Sequence, residues 1–126
     1  MIVLDASVLI AHLSAADARH ERATQLLLAA GDEPFAASPL TLAEVLVGPA
    51  RAGLLERASV VLRQLGVTAV ALDTDAPARL ATLRAITGLK LPDCCVLLAA
   101  EQAGAAVLTL DDRVAAAARE RGLAAG

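Results

Sequence analysis

The chain has 126 residues with 57% hydrophobic content, which suits a single domain over residues 1–126 with a sizeable core. No apolar stretch approaches the ~20 residues that a membrane span needs. A formal net charge of −3 gives no global attraction to nucleic acid, so a polyanionic partner requires a local basic patch.

The amino terminus has no basic region, and Asp5 interrupts its apolar run Ile2–Leu4. It does not read as a signal peptide, and a cytoplasmic protein is expected. Ile2–Leu4 itself reads as a short buried strand. Residues 7–13 and 17–30 carry helical patterns, the second stopping at Gly31-Asp32. Phe35–Ala37 is a second short strand. Ser38-Pro39 then forms an N-cap with proline at the first helical position, opening a helix that runs to Gly48-Pro49. A further helix reaches Leu65-Gly66. Val67–Leu72 alternates and is β-branched, as in a strand, and Asp75–Ile86 is helical. Pro92 starts a helix that reaches Gly104, Ala106–Leu110 is a strand, and Asp112–Arg121 is a helix. Alternation of this kind predicts an α/β fold, a parallel sheet covered by helices on both faces. The adjacent Cys94 and Cys95 cannot staple distant segments and are too few for zinc. They read as small apolar side chains in a reducing compartment.

Four acids recur at one kind of place. Asp5 and Asp111 directly follow predicted strands, Glu44 lies in the first two turns of the helix after Phe35–Ala37, and Asp93 stands beside Pro92 at a helix start. In an open parallel sheet, ligand sites form outside the carboxyl ends of the strands, so the four can converge on one cleft. Taken singly, Asp93 is an ordinary helix-start acid and Asp111 and Asp112 are ordinary turn residues. Asp5 and Glu44 are framed by apolar neighbours and resist that explanation. Converging carboxylates repel one another unless a cation lies between them. Oxygen-only ligands suit Mg²⁺ or Mn²⁺ and phosphodiester hydrolysis.

Ten of the eleven basic residues are arginine, Lys90 being the exception, and Phe35 is the only aromatic residue. Base stacking is therefore scarce, and a phosphodiester substrate is expected to be held through its phosphates, with Lys90 and Arg113 as candidates beside Asp93 and Asp111. His12 and His20 are expected to be surface or partly buried helix residues without a ligand role.

The segments IVLDASVLI, ASPLTLAEVLVG and LKLPDCCVLLAAEQAGAAVLTLDDR, in this order and spacing, resemble the PIN-domain family, and within it the VapC-type toxins of toxin–antitoxin pairs. The resemblance covers Met1 to about Gly122. It implies a PIN-like α/β sandwich, Mg²⁺- or Mn²⁺-dependent endoribonuclease activity, inhibition by a VapB-like antitoxin, and a homodimeric toxin. By position, Asp5, Glu44, Asp93 and Asp111 match the family's metal-binding, catalytic acidic quartet. Ser7 and Thr109 match hydroxyl residues suited to orienting carboxylates or metal-bound water. Asp112 stands beside Asp111 as the alternative metal-facing acid. Asp111 is preferred because the Thr-x-Asp pattern falls on it, and Asp112 is then a supporting acid. Val114 occupies a position where the family frequently has an aromatic residue. An antitoxin arginine is expected to enter the acidic cleft, with the apolar helices at 7–13, 17–30 and 40–65 forming a groove for its amphipathic segment. Two alternatives compete. A haloacid-dehalogenase-type phosphatase also begins strand-then-Asp but wants a second acid where Ser7 stands. A non-catalytic receiver or scaffold domain wants paired acids after the first strand, and only Asp5 is there.

Overall fold

A computed structural model describes residues 1–125. The elements are β1 (Ile2–Leu4), α1 (Ala6–Leu13), α2 (His20–Ala29), β2 (Phe35–Ala37), α3 (Pro39–Arg51), α4 (Leu55–Gln64), β3 (Thr68–Ala69), α5 (Ala76–Thr87), α6 (Leu91–Ala103), β4 (Ala106–Leu108) and α7 (Asp112–Glu120). The four strands form one sheet in the order β3-β2-β1-β4, and every pairing is parallel. β1 is central, with Ile2 opposite both Phe35 and Ala106.

The pleat sorts the apolar residues onto two faces. Ile2, Leu4, Phe35 and Leu108 pack with α1–α4 through Val8, Leu9, Leu27, Val45 and Leu62. Val3, Ala36 and Val107 pack on the other face with α5, α6 and α7 through Leu83, Leu97, Leu98 and Val114. Both faces are thus covered by helices, as the strand–helix alternation predicts, and strands buried on both sides are accordingly unbroken apolar runs. Cys94 and Cys95 are buried free thiols on α6, in the role of small core residues. Among the described residues no helix is long and apolar enough to cross a membrane.

Boundaries differ from the sequence expectation in five places. β4 ends at Leu108 rather than Leu110, because the Leu110 and Asp111 N–H groups turn to the hydroxyls of Ser7 and Thr109. The segment from 14 to 19 is a turn rather than the start of α2. Asp17 shapes it by accepting from the Arg19 backbone N–H at 2.8 Å, while its own carbonyl accepts from His20 N–H at 3.0 Å. α3 continues through Gly48 and Pro49 to Arg51, because a proline in the last turn removes only one helical bond. α6 begins one residue before Pro92, which still lies in the first turn, where an N–H is not needed. β3 is two residues instead of six. It lies at the sheet edge, and beyond Val70 the chain turns away, so that Gln102 donates to the Ala71 carbonyl and accepts from the Asp73 N–H, both at 3.3 Å. Val70 and Leu72 remain packed on the core, which accounts for the alternation seen in the sequence.

The other edge is closed by the segment that follows α7. Val107 N–H donates to the Leu123 carbonyl and Ala125 N–H donates to the Val107 carbonyl, so a short extension covers the free side of β4.

Candidate active site at the carboxyl edge of the sheet

The carboxyl ends of β1 and β4 lie side by side because Leu4 pairs with Leu108. The next residues therefore meet. Asp5 N–H donates to the Leu108 carbonyl at 3.0 Å, and the chain then turns into α1. Asp5 occupies the N-cap of α1, yet its side chain makes no capping bond. Two hydroxyls hold it instead. Thr109 Oγ1 donates to Asp5 Oδ2 at 2.6 Å and Ser7 Oγ donates to the same oxygen at 2.7 Å. The hydroxyls are themselves fixed, because Ser7 Oγ accepts from Leu110 N–H and Thr109 Oγ1 from Asp111 N–H, each at 3.0 Å. Asp5 is 5% exposed, and no buried side-chain oxygen among the described residues lacks a partner. Its second oxygen, Oδ1, has no hydrogen bond and so reaches solvent at the rim.

Asp111 caps α7, with Oδ1 accepting from Arg113 N–H at 2.8 Å and Val114 N–H at 3.1 Å. The ordinary capping role thus applies to Asp111 in full and to Asp5 not at all. Asp93 sits in the first turn of α6, and Glu44 lies on α3, which Ser38 caps by accepting from Thr41 N–H at 3.1 Å.

Electrostatics tie the four acids together. Partial burial, then the charges of Asp93 and Asp5, push the Glu44 carboxyl above its usual value, although the residue as a whole is exposed. Asp93 is likewise raised, first by burial and then by Asp5 and Asp111, while Lys90 and Arg113 draw it back down. Asp111, not the adjacent Asp112, is the acid that acts on Asp93. Among the described residues, no group of three or more His, Cys, Asp or Glu side chains is placed so as to hold a metal ion, so the expected convergence of the four acids on one cleft is not complete. The carboxylates are within range of one another's fields without converging on one point.

The start of α6 is held by a clamp that the sequence reading missed. Arg84 Nη1 donates to the Leu89 carbonyl at 2.9 Å, Cys94 Sγ lies 3.6 Å from the same oxygen, and Leu89 N–H donates to Thr87 Oγ1 at 3.1 Å. Gly88, at φ 72°, makes the left-handed turn that this path requires. Arg113 reaches across to the Gly88 carbonyl at 3.4 Å, joining the rim at α7 to the rim at α6. The Gly-Leu-Lys-Leu-Pro run marks a helix stop and restart, but nothing in it names Arg84 as the donor. Asp112 makes no hydrogen bond to the cluster and instead lines a cavity between α2 and α7. His12 and His20 join α1 to α2. His20 Nδ1 bonds the Ala11 carbonyl, His12 Nδ1 bonds Thr24 Oγ1, each at 2.9 Å, and the rings stack at 6.0 Å.

A parallel α/β sandwich with an acidic cluster at the carboxyl edge of β1 and β4 defines the class. The family model for the PIN domain matches residues 2–120, and the chain belongs to the PIN-domain family. Among solved structures, it is similar to a chain of a toxin–antitoxin complex from Klebsiella pneumoniae, with 26% identity and TM-score 0.74, covering 88% of this chain and 87% of that one. It also shares its fold with VapC20 of Mycobacterium tuberculosis, described as a Sarcin-Ricin loop cleaving toxin, at 19% identity and TM-score 0.77, over 93% and 95% of the two chains. No curated protein matches it significantly.

Proposed function

We propose that the chain is a metal-dependent endoribonuclease and the toxin of a VapBC-type toxin–antitoxin pair, acting as a single nuclease domain. The observation that carries this reading is the fixing of Asp5 Oδ2 by Ser7 and Thr109, which leaves Oδ1 available at the rim beside the fields of Glu44 and Asp93.

The donor set fits a hard divalent cation. Asp5, Glu44, Asp93 and Asp111 offer carboxylate oxygens only, and Glu44 and Asp93 have no hydrogen-bond partner among the described residues. Mg²⁺ or Mn²⁺ suits such an open set, since Mg²⁺ retains several waters and needs few direct protein ligands. A bound ion supplies a more acidic water and neutralises charge on the phosphate. The chain's own residues do the rest. Ser7 and Thr109 keep Asp5 in one orientation, Asp111 holds its place by capping α7, and Lys90 and Arg113 attract the phosphate backbone to the rim.

The Klebsiella complex supports an antitoxin partner, and the acidic cluster suits a guanidinium from it. A cavity of about 360 Å³ lined by Ile10, Leu13, Val45, Val47 and Glu44 lies between α1 and α3 and suits its apolar residues. A homodimeric toxin accompanies this reading. The phosphatase alternative gives way to the family assignment, and Ser7, at the position of its second acid, is committed to Asp5 and Leu110. The test is RNA cleavage with Mg²⁺ or Mn²⁺, with EDTA, and in Glu44→Gln and Asp93→Asn. Cleavage is expected only in the parent with metal. Cleavage that persists in EDTA and in both variants overturns the reading, and co-expression with the neighbouring small open reading frame tests the antitoxin.

A further inference from the structure

The helix α7 presents two different faces to its neighbours. Arg113, Ala116, Ala117 and Glu120 look towards the end of α5. Asp112, Ala115 and Arg119, spaced by three and four residues, form the other stripe. This second stripe opposes Arg22 and Leu26 of α2, and between them lie β4, Thr109 and Leu110 just beyond it, and the closing segment at Ala124 and Ala125, together bounding a cavity of about 350 Å³.

Two properties set this cavity apart. Arg22 and Arg119 enter no salt bridge among the described residues, whereas Arg79 and Arg121 both pair with Glu101 and Arg19 pairs with Asp17. Among the described residues, two unpaired guanidiniums thus line one concavity against a single carboxylate, Asp112, which gives that lining net positive charge on a protein whose total is −3. The floor is also shared with the acidic cluster, since the Thr109 hydroxyl bonds Asp5 and Asp111 follows Leu110 directly.

We propose that this cavity seats a backbone phosphate of the RNA substrate next to the one that is cut, with Arg22 and Arg119 as its donors. The proposal rests on the ribonuclease reading and adds a binding site to it. Guanidinium groups match phosphate oxygens in planar, paired hydrogen bonds. A strand with one phosphate at the carboxylates needs cationic support for its neighbour, and the Thr109–Leu110 floor leads directly from one place to the other. Asp112 weakens the site by its charge.

The experiment measures binding of a single-stranded RNA oligonucleotide by fluorescence anisotropy over a range of salt, in an Asp93→Asn background that prevents cleavage. Arg22→Gln/Arg119→Gln is expected to weaken binding by about tenfold or more. It should also flatten the dependence of log affinity on log salt by roughly 0.7 to 1.4. Asp112→Asn is expected to tighten binding, a gain that a damaged fold does not produce. Arg57→Gln/Arg63→Gln on α4 makes the same change of charge away from the cavity and is expected to do far less. Equal losses in the two double variants, or an Asp112→Asn variant that binds no more tightly, overturn the cavity as a phosphate site while the nuclease reading stands. A parent protein that neither binds RNA in a salt-dependent way nor cleaves it overturns both.

Discussion

Thr109→Val removes one hydroxyl at nearly constant shape. That hydroxyl donates at 2.6 Å to a carboxylate that is 5% exposed, and it accepts from the Asp111 N–H at 3.0 Å. A hydrogen bond to a charged group is worth about 1.5–3 kcal/mol net. The Asp111 N–H is at an exposed position, where water replaces the lost acceptor, so it adds little. Ser7 Oγ remains on Asp5 Oδ2 and limits the damage. The expected loss is about 2 kcal/mol, which for a chain of this size lowers Tm by roughly 7 °C. Urea titration at neutral pH without divalent ions reads it directly. The cause is isolated by repeating the substitution in an Asp5→Asn background, where the acceptor is neutral. There the cost is expected to fall below about 1 kcal/mol, giving a coupling on the order of 1 kcal/mol. A Thr109→Val protein as stable as the parent, or an equal cost in both backgrounds, would refute the view that the hydroxyl pair holds a charged Asp5.

Three further outcomes are expected. Millimolar Mg²⁺ or Mn²⁺ raises Tm by binding the folded state, and Asp5→Asn diminishes the response; an unchanged melting curve in the parent contradicts the metal-site proposal. Glu44 and Asp93 are raised above their ordinary values of 4.5 and 3.8, so the metal-free folded chain holds their protons more tightly than the unfolded chain. Their contribution favours folding at low pH and is lost as pH rises through the raised values, so Glu44→Gln/Asp93→Asn gains stability relative to the parent across that window, and a gap independent of pH counts against the coupling. Gly88→Ala forces a side chain to φ 72° and is expected to cost about 1 kcal/mol in denaturant titration, with no cost if the loop before α6 adopts another path.

The sequence by itself determined the layering and the residues that end the first strand at the rim. Ile2–Leu4, Phe35–Ala37 and Ala106–Leu108 are unbroken apolar runs because both faces of a parallel sheet are buried, and that signal is local. The Ser38-Pro39 cap is equally local, as is the position of Asp5 immediately after its strand, whereas Asp111 stands three residues beyond the end of β4 at Leu108. What only the tertiary structure decided is how these places meet. The strand order β3-β2-β1-β4 brings Thr109 to Asp5 across 104 residues of chain, and no spacing rule encodes that distance. The sequence already favours Asp111 over Asp112, and what the structure adds is that Asp111 caps α7 and that its charge bears on Asp93. Residues 71 and 72 alternate like a strand but lie outside one, because an edge position offers a single partner and Gln102 competes for its backbone. Arg22 and Arg119 face one cavity for the same kind of reason. Helix periodicity says which residues share a stripe, but packing alone sets which stripe of α2 opposes which stripe of α7.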